Sequence, residues 1–229
     1  MSDEFDLDAG LFLHVRRACS AQAVRIYLDA VLIEPHPEGG CMVVATDGHV
    51  LLAAHDAQTT APRAALVKLE MCEWPEEDAV DEWGDPLEQP SADGARLKFT
   101  LDGDAPAVAT ISQKWCHDWR RGVIEEVCEA SKYPDWREAV SGKVAAKAAK
   151  APFNSHALNP DILARVVAGR AVRIAPPDHP GAPSRLHFHD RPEMCGLIMP
   201  RWATIQPPAF EAEIIEAAQA GAQDGGGAP

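Results

Sequence analysis

The chain has 229 residues, of which 21 are Lys or Arg and 35 are Asp or Glu, so its formal net charge is −14. Apolar residues make up 46% and charged residues 24% of the chain, as in ordinary globular proteins, which excludes collagen-like, coiled-coil and wholly disordered chains. No stretch approaches about 18 uninterrupted apolar residues, so no membrane span is predicted, and the acidic balance argues against indiscriminate coating of nucleic acid.

The amino terminus is acidic, and residues 1–10 are predicted to form a flexible acidic tail. This segment has neither the basic start nor the apolar run of a secretory signal. The six cysteines are scattered without a CxxC pair, which is typical of reduced, mostly buried thiols. A cytoplasmic location is therefore expected.

The first lobe of the chain, residues 11–56, is predicted to form a helix followed by three strands. Apolar spacing predicts a helix from Leu11, and residues 24–34 alternate as a strand should. Residues 41–46 and 49–54 are two further predicted strands. The Asp47-Gly48 pair between them indicates a tight hairpin with a type I′ turn, which needs a positive φ at both central residues.

An acidic stretch interrupts the strand pattern. Residues 70–93 contain ten acidic residues and no basic one, with prolines among them. We interpret the stretch as a solvated acidic insertion; an acidic docking surface or DNA mimic is the alternative. Strands are predicted to resume at residues 96–101, 107–111 and 122–128.

The carboxy-terminal part has a well-delimited helix. Residues 142–152 are small and basic and are predicted to form a linker or a short exposed helix. The helix that follows has Asn159 as its N-cap, Pro160 in its first turn and Gly169 as its stop. Three short strands are predicted at residues 171–175, 185–189 and 196–199, and a mobile tail at residues 203–229.

Four segments, in this order, resemble the bacterial DNA polymerase III β sliding clamp family. The most specific is Ala45-Thr46-Asp47-Gly48-His49, within residues 44–51. The others are residues 24–34, the aromatic-Pro-Asp-aromatic-Arg run at residues 132–137, and Ile198-Met199-Pro200-Arg201. The resemblance implies an α+β fold of the DNA-clamp type, with helices packed on antiparallel sheets.

The resemblance also implies a domain organisation. Residues 11–141 are similar to one clamp domain, expanded by the acidic insertion near residues 70–93, and residues 153–202 are similar to half a domain. The chain thus resembles about one and a half clamp domains, whereas chains of the family have three domains and their rings contain six domains. A homo-oligomer is among the expectations, but no number of copies is implied.

In the family, a hydrophobic cleft grips short linear peptides from polymerases and clamp loaders. Carried over by position, the cleft residues are Thr46, Gly48, His49, Val50, Leu51, Met199, Pro200 and Arg201. We expect Val50, Leu51 and Met199 to be partly exposed there. Val50 stands where the family usually has an Arg, so the preferred peptide is expected to differ.

Clamp helices face double-stranded DNA and touch its phosphates without reading bases. The resemblance therefore implies weak, sequence-independent DNA contact by basic residues on or beside the predicted helices and linker. These are Arg16, Arg17, Lys143, Lys147, Lys150, Arg165, Arg170 and Arg173.

The resemblance favours a non-enzymatic protein without a cofactor that binds replication or repair proteins, as a DNA polymerase processivity factor does. One alternative is a clamp-related adaptor or decoy that never encircles DNA. Another is a metal-dependent hydrolase, because His179, His187, His189 and Cys195 lie close in sequence. The adjacent Cys116-His117-Asp118 is a weak candidate for a thiol nucleophile.

Overall fold

The computed structural model describes residues 2–20, 25–59, 61–71, 94–103, 105–113, 116–141, 158–177 and 182–200. Over these residues the chain forms one sheet of eleven strands in which every pairing is antiparallel. Nearly all of the predicted acidic insertion, the basic linker and the carboxy-terminal tail lie outside the described residues.

The strands, in chain order, are β1 (Asp3–Asp8), β2 (Val31–Pro35), β3 (Cys41–Thr46), β4 (Val50–Asp56), β5 (Ala65–Met71), β6 (Arg96–Leu101), β7 (Ala107–Gln113), β8 (Cys116–Cys128), β9 (Val172–Ala175), β10 (Ser184–Phe188) and β11 (Met194–Ile198). The α-helices of the described residues are α1 (Ala9–Val15), α2 (Trp136–Val140) and α3 (Pro160–Val167). Three 3₁₀ helices lie at Arg16–Ala18, Ile26–Asp29 and Ala130–Lys132. The strand order is β1-β6-β7-β8-β5-β2-β3-β4-β11-β10-β9.

Apolar clusters cover both faces of the central strands. On one face, which we call the α1–α3 face, Phe12, Leu52 and Val166 are fully buried in the main core. On the other, the α2 face, Leu51 and Tyr133 belong to a second cluster against which α2 packs. The predicted α+β class, with helices packed on an antiparallel sheet, is therefore confirmed. No helix in the described part of the chain is long and apolar enough to cross a bilayer.

The predicted strand at residues 24–34 is wrong in its first part. Ile26–Asp29 is a 3₁₀ helix and only Val31–Pro35 is a strand. Ile26 is 64% exposed, so the alternation that included it does not correspond to a buried face. Within β2 the apolar residues are continuous, because this interior strand is buried on both faces.

The expected flexible tail at residues 1–10 is also corrected. Residues Asp3–Asp8 form β1, which pairs with β6, and Phe5 stacks on Phe99 with ring centroids 4.8 Å apart. Phe5 and Leu7 point into the core while the intervening acidic side chains point outward. The Asp6 carboxylate pairs with Arg96 at 2.7 Å, so its charge is compensated in the fold.

The β3–β4 hairpin forms as predicted, but its turn does not have the predicted type. Three residues, Asp47 to His49, separate the strands, and Gly48 alone of the three has a positive φ, of 89°. The Asp47 carboxylate supplies the closing contacts: its Oδ1 accepts the amides of His49 and Val50 at 2.8 and 2.9 Å. A side chain thus replaces the second left-handed residue that a type I′ turn requires.

Helix α3 begins and ends where the sequence predicted. The Asn159 side chain accepts the amide of Asp161 at 3.0 Å, and Pro160 stands at the start of the helix. The helix ends at Ala168 in the left-handed region, followed by Gly169 with a φ of 77°. Its Val166 is fully buried, so the predicted apolar face packs into the main core.

The expected half domain shares its sheet and its core with the first lobe. Strand β11 pairs with β4, with Leu197 opposite Leu51 and Ile198 opposite Val50. Val166 of α3 lies in the same apolar cluster as Phe12 of α1. This long-range pairing joins the carboxy-terminal strands to the β3–β4 hairpin, and the candidate site lies where they meet.

Candidate functional site

A groove of about 330 Å³ opens beside strands β4 and β11. Its size lies in the range of ordinary ligand sites, and most of its lining is apolar. Residues from well-separated parts of the chain line it: Arg25, Tyr27, Leu28, Thr46, Gly48, His49, Val50, Leu51, Pro134, Asp135, Trp136, Ala139, Pro183, Leu197 and Met199.

The β3–β4 turn forms one wall of the groove. The Thr46 hydroxyl donates to the carbonyl of Val50 at 2.7 Å, and its oxygen accepts the amide of Gly48 at 3.1 Å. The Asp47 carboxylate holds the next two amides, as described above. The amides of Gly48, His49 and Val50 are therefore all bonded to side chains of the turn itself, which fixes the turn's shape before any ligand arrives.

Met199 forms the adjoining wall. Its amide donates to the carbonyl of His49 at 2.8 Å, which extends the β11–β4 pairing by one residue. The Met199 side chain is 41% exposed. An exposed, flexible thioether next to apolar residues can adapt to differently shaped ligands.

The expectation that Val50 and Leu51 would be partly exposed is wrong. Val50 is 2% exposed and belongs to the main core, whereas Leu51 is 7% exposed and belongs to the second cluster. The reason is that β4 is an interior strand between β3 and β11, with both faces covered. These two residues contribute the groove's floor, while Met199 contributes accessible surface.

The remaining cleft candidates are placed as follows. Thr46, Gly48 and His49 line the groove together with Met199. Pro200 follows Met199 but is not among the residues that line the groove. Arg201 lies outside the described residues.

An aromatic wall faces the turn, and the site prediction did not include it. Trp136 of α2 lines the groove, and its indole Nε1 donates to the Glu34 carboxylate at 2.9 Å. The Arg137 guanidinium lies 4.6 Å from the Trp136 ring centroid and pairs with the same carboxylate at 2.6 Å. The orientation of the indole is thus fixed from two sides.

Tyr27 and Leu28 of the second 3₁₀ helix complete the apolar lining. Both residues, like Trp136, fall within segments that carry the sequence resemblance. The signal that could have found them was therefore present, but residues 24–34 were interpreted as a strand and residues 132–137 as the close of a domain.

Polar groups stand at the rim of the groove. Arg25 and His49 are exposed, and the Arg25 Nη1 donates to the Tyr27 hydroxyl at 3.0 Å. The exposed Asp135 caps α2, accepting the amide of Arg137 at 3.1 Å. An apolar trough with hydrogen-bonding groups along its edge can hold an extended peptide and fix its direction.

The basic residues that were expected to contact DNA fall into different surroundings. Arg165 pairs with Asp47, and Arg170 pairs with Asp190 and donates to His14 Nδ1 at 3.3 Å. Arg17 is exposed beside α1. Lys143, Lys147 and Lys150 lie outside the described residues.

Arg173 differs from the other basic candidates in its position. It is exposed on β9, opposite His187 of β10, whereas its neighbour Val172 is opposite Phe188 and packs on the main core. Successive side chains of a strand point to opposite faces. Arg173 therefore lies on the α2 face, away from α1 and α3.

Of the residues considered for catalysis, His187 of β10 and Cys195 of β11 lie opposite each other. His187 and His189 are exposed, and in the described part of the chain no group of three His, Cys, Asp or Glu side chains could hold a metal ion. Burial raises the pKa of the Cys195 thiol, which favours its protonated form over the thiolate that would bind a metal. His179 lies outside the described residues, and so do the side chains of residues 116–118.

A second depression, of about 570 Å³, lies at the far end of the sheet beside β6 and β7. Charged side chains such as Glu4, Lys98 and Asp102 stand around it. It is larger than the groove, but we regard the groove as the better candidate because apolar side chains and fixed polar groups converge there.

No family model matches the sequence, and no curated protein matches it. Solved structures match its fold. The DNA polymerase sliding clamp from Pseudomonas aeruginosa has a TM-score of 0.50 at 17% identity, over 88% of this chain and 66% of that one. DNA polymerase III subunit beta from Borrelia burgdorferi, in complex with a natural product, has a TM-score of 0.52 at 9% identity, over 87% and 63%.

The DNA polymerase III subunit beta sliding clamp from Bartonella birtlesii, bound to griselimycin, has a TM-score of 0.50 at 13% identity, over 88% and 66%. The chain therefore has a fold like that of bacterial sliding clamps. It spans somewhat less than two thirds of the length of these structures.

Proposed function

We propose that the groove binds short linear peptide segments of other proteins, and that the chain is a non-enzymatic, sliding-clamp-related binding protein. The observation that carries this proposal is Met199, whose side chain is 41% exposed at the wall of an apolar groove. Exposed apolar surface gathered in a groove usually marks a binding site.

The groove's chemistry favours an extended peptide with bulky apolar or aromatic side chains. Trp136 and Met199 offer large, polarisable surfaces to such side chains. Arg25 and His49 at the rim can bond to backbone carbonyls or to the amide of a Gln. Segments of this kind that begin with Gln and end with Phe are the ligands implied by the clamp resemblance.

The proposed partners are DNA polymerases or repair proteins that carry such segments, with double-stranded DNA as a second, weak ligand. The basis for DNA is the clamp-like fold together with the basic residues beside α1, of which Arg17 is exposed. Such contact would be to phosphates and therefore independent of sequence.

Fluorescence anisotropy with a labelled peptide tests the main proposal. The probe is a peptide with a Gln-to-Phe segment of five residues, and the control is the same peptide with Gln and Phe replaced by Ala. We expect saturable binding of the first peptide at micromolar protein and much weaker binding of the second. Equal binding of both, or none at high micromolar protein, would contradict the proposal.

A second candidate is an adaptor that binds peptides without encircling DNA. One observation favours it: the net charge of −14 argues against extensive contact with DNA phosphates. Retention on circular DNA distinguishes the two. A closed ring stays on nicked circular DNA and slides off when the DNA is cut, whereas an adaptor shows no such difference.

A further inference from the structure

We infer that Arg165 is a positioning residue of the groove, which acts by holding Asp47 of the β3–β4 turn; this inference rests on the proposed peptide-binding function. Arg165 lies on α3, 118 residues after Asp47 in the sequence. Its Nη2 donates to Asp47 Oδ2 at 2.5 Å, and its Nη1 donates to the carbonyl of Cys19 at 3.4 Å.

The Asp47 carboxylate serves the ion pair and the turn together. Oδ2 faces Arg165, while Oδ1 accepts the amides of His49 and Val50. The Asp47 side chain is only 9% exposed, so its charge is largely removed from water and needs a partner. Arg165 supplies that partner and so stabilises the carboxylate position that shapes the turn.

The effect of the pair extends to the adjoining wall of the groove, which Met199 forms. The amide of His49 is fixed by Asp47, and its carbonyl accepts the amide of Met199 at 2.8 Å. A continuous series of contacts therefore runs from α3 through Asp47 and His49 to Met199. A shift of the turn would move both His49 and Met199, which line the groove.

The surroundings of Arg165 differ from those of an exposed arginine that is available to bind DNA phosphates. Its side chain is 36% exposed, and its Nε is buried without a hydrogen-bond partner among the described residues. Burying that group has a cost, which the contacts to Asp47 and Cys19 offset. The Arg165 guanidinium therefore contacts the turn, although the clamp resemblance had predicted that Arg165 contacts DNA.

The first test compares Arg165→Gln, Asp47→Asn and the double variant in the anisotropy assay. Asn keeps the side-chain oxygen that accepts the turn amides but loses the charge that attracts Arg165. We expect each single variant to bind the Gln-to-Phe peptide about tenfold more weakly, as expected for loss of a charged hydrogen bond. The double variant should be no weaker than either single one, because both remove the same interaction.

Arg63→Gln is the matched control, because it removes the same charge from an arginine of similar exposure, 40%, which pairs with Asp3 and Glu126 and does not line the groove. Its peptide affinity should equal that of the wild type. Arg165→Lys keeps a charge within reach of Asp47 and should recover part of the affinity. Unchanged binding by Arg165→Gln, or additive losses in the double variant, would overturn the positioning role.

Amide hydrogen exchange, measured by NMR without any peptide, separates this inference from the proposed function. In Arg165→Gln the amides of His49 and Val50 should exchange faster, while that of Phe99 on distant β6 should not change. If the wild type binds no peptide, the proposed function fails. The amide exchange rates of His49 and Val50 then test the role of Arg165 by themselves. Unchanged exchange at both turn amides would overturn the role. If Arg165→Gln does not fold, Asp47→Asn, which also removes the ion pair, is measured in its place.

Discussion

The backbone amide of Met199 donates a hydrogen bond of 2.8 Å to the carbonyl of His49, although the two residues lie in opposite halves of the chain. This contact joins the two walls of the groove. It exists because β11 pairs with β4, and it ends the pairing at the point where Met199 becomes exposed. The groove's geometry therefore depends on long-range strand pairing.

Met199→Ala should weaken peptide binding while leaving the fold nearly intact. Because the side chain is 41% exposed, we expect a loss of unfolding free energy below about 1 kcal/mol. Loss of its contact with a peptide should cost about 1–2 kcal/mol of binding free energy. Thermal melting and fluorescence anisotropy measure the two effects. Ile174→Ala, at 40% exposure on β9, is the matched control and should leave affinity unchanged.

Leu51→Ala, in contrast to Met199→Ala, should mainly reduce the stability of the fold. Leu51 is 7% exposed in the second cluster, so truncation leaves a cavity and should cost about 2–4 kcal/mol of unfolding free energy. Chemical denaturation measures this loss. A variant as stable as the wild type would show that Leu51 is accessible surface rather than the groove's floor.

His14 should make the protein less stable in mild acid. Burial, and then the nearby Arg170 guanidinium, lower the pKa of His14 from 6.5 to about 4. Below pH 6.5 the His14 imidazole takes up a proton in the unfolded chain, whereas in the folded chain it stays neutral until the pH falls to about 4. This contribution to stability is full above pH 6.5 and is lost as the pH falls to about 4, with a maximum of about 3 kcal/mol.

Denaturant unfolding of the wild type and of His14→Gln, at several pH values between 4 and 7, measures this contribution. The carboxylates titrate in both proteins, so the difference between the two curves isolates the imidazole. The unfolding free energy of His14→Gln should fall less steeply with acid. Parallel curves would mean that His14 keeps an ordinary pKa in the folded protein.

DNA binding, if it occurs on the α1–α3 face, should depend on Arg16 and Arg17 and not on Arg173. Replacing the first two with Glu should weaken binding equally for all sequences and reduce the slope of log K against log salt by about 2. Arg173→Glu makes the same kind of charge change on the α2 face. Equal losses from both faces would indicate nonspecific electrostatics instead of a DNA-facing surface.

Local signals were sufficient for several elements. Asn159, Pro160 and Gly169 delimit α3, because a cap, a fixed φ and a left-handed stop act within one turn of helix. The β3–β4 hairpin followed from Gly48 in the same way. The clamp-like fold was indicated by four short segments, and the similar solved structures confirm that fold at 9–17% identity.

Other elements depended on their surroundings. The sequence analysis did not predict β1, because acidic residues alternate there with Phe5 and Leu7. These two apolar side chains become buried only when β1 pairs with β6. The burial of Val50 and Leu51 could not be predicted, because it depends on the apolar clusters that cover the two faces of β4 in the fold.

The groove itself is a product of tertiary structure. The sequence identified Met199 and the turn around Gly48 through a resemblance, but the wall at Trp136 and the Arg165–Asp47 pair became visible only in the fold. A turn or a cap depends on neighbours within a few residues. The meeting of α3, α2 and the β3–β4 turn depends on how the whole sheet buries its two faces, and no local pattern carries that information.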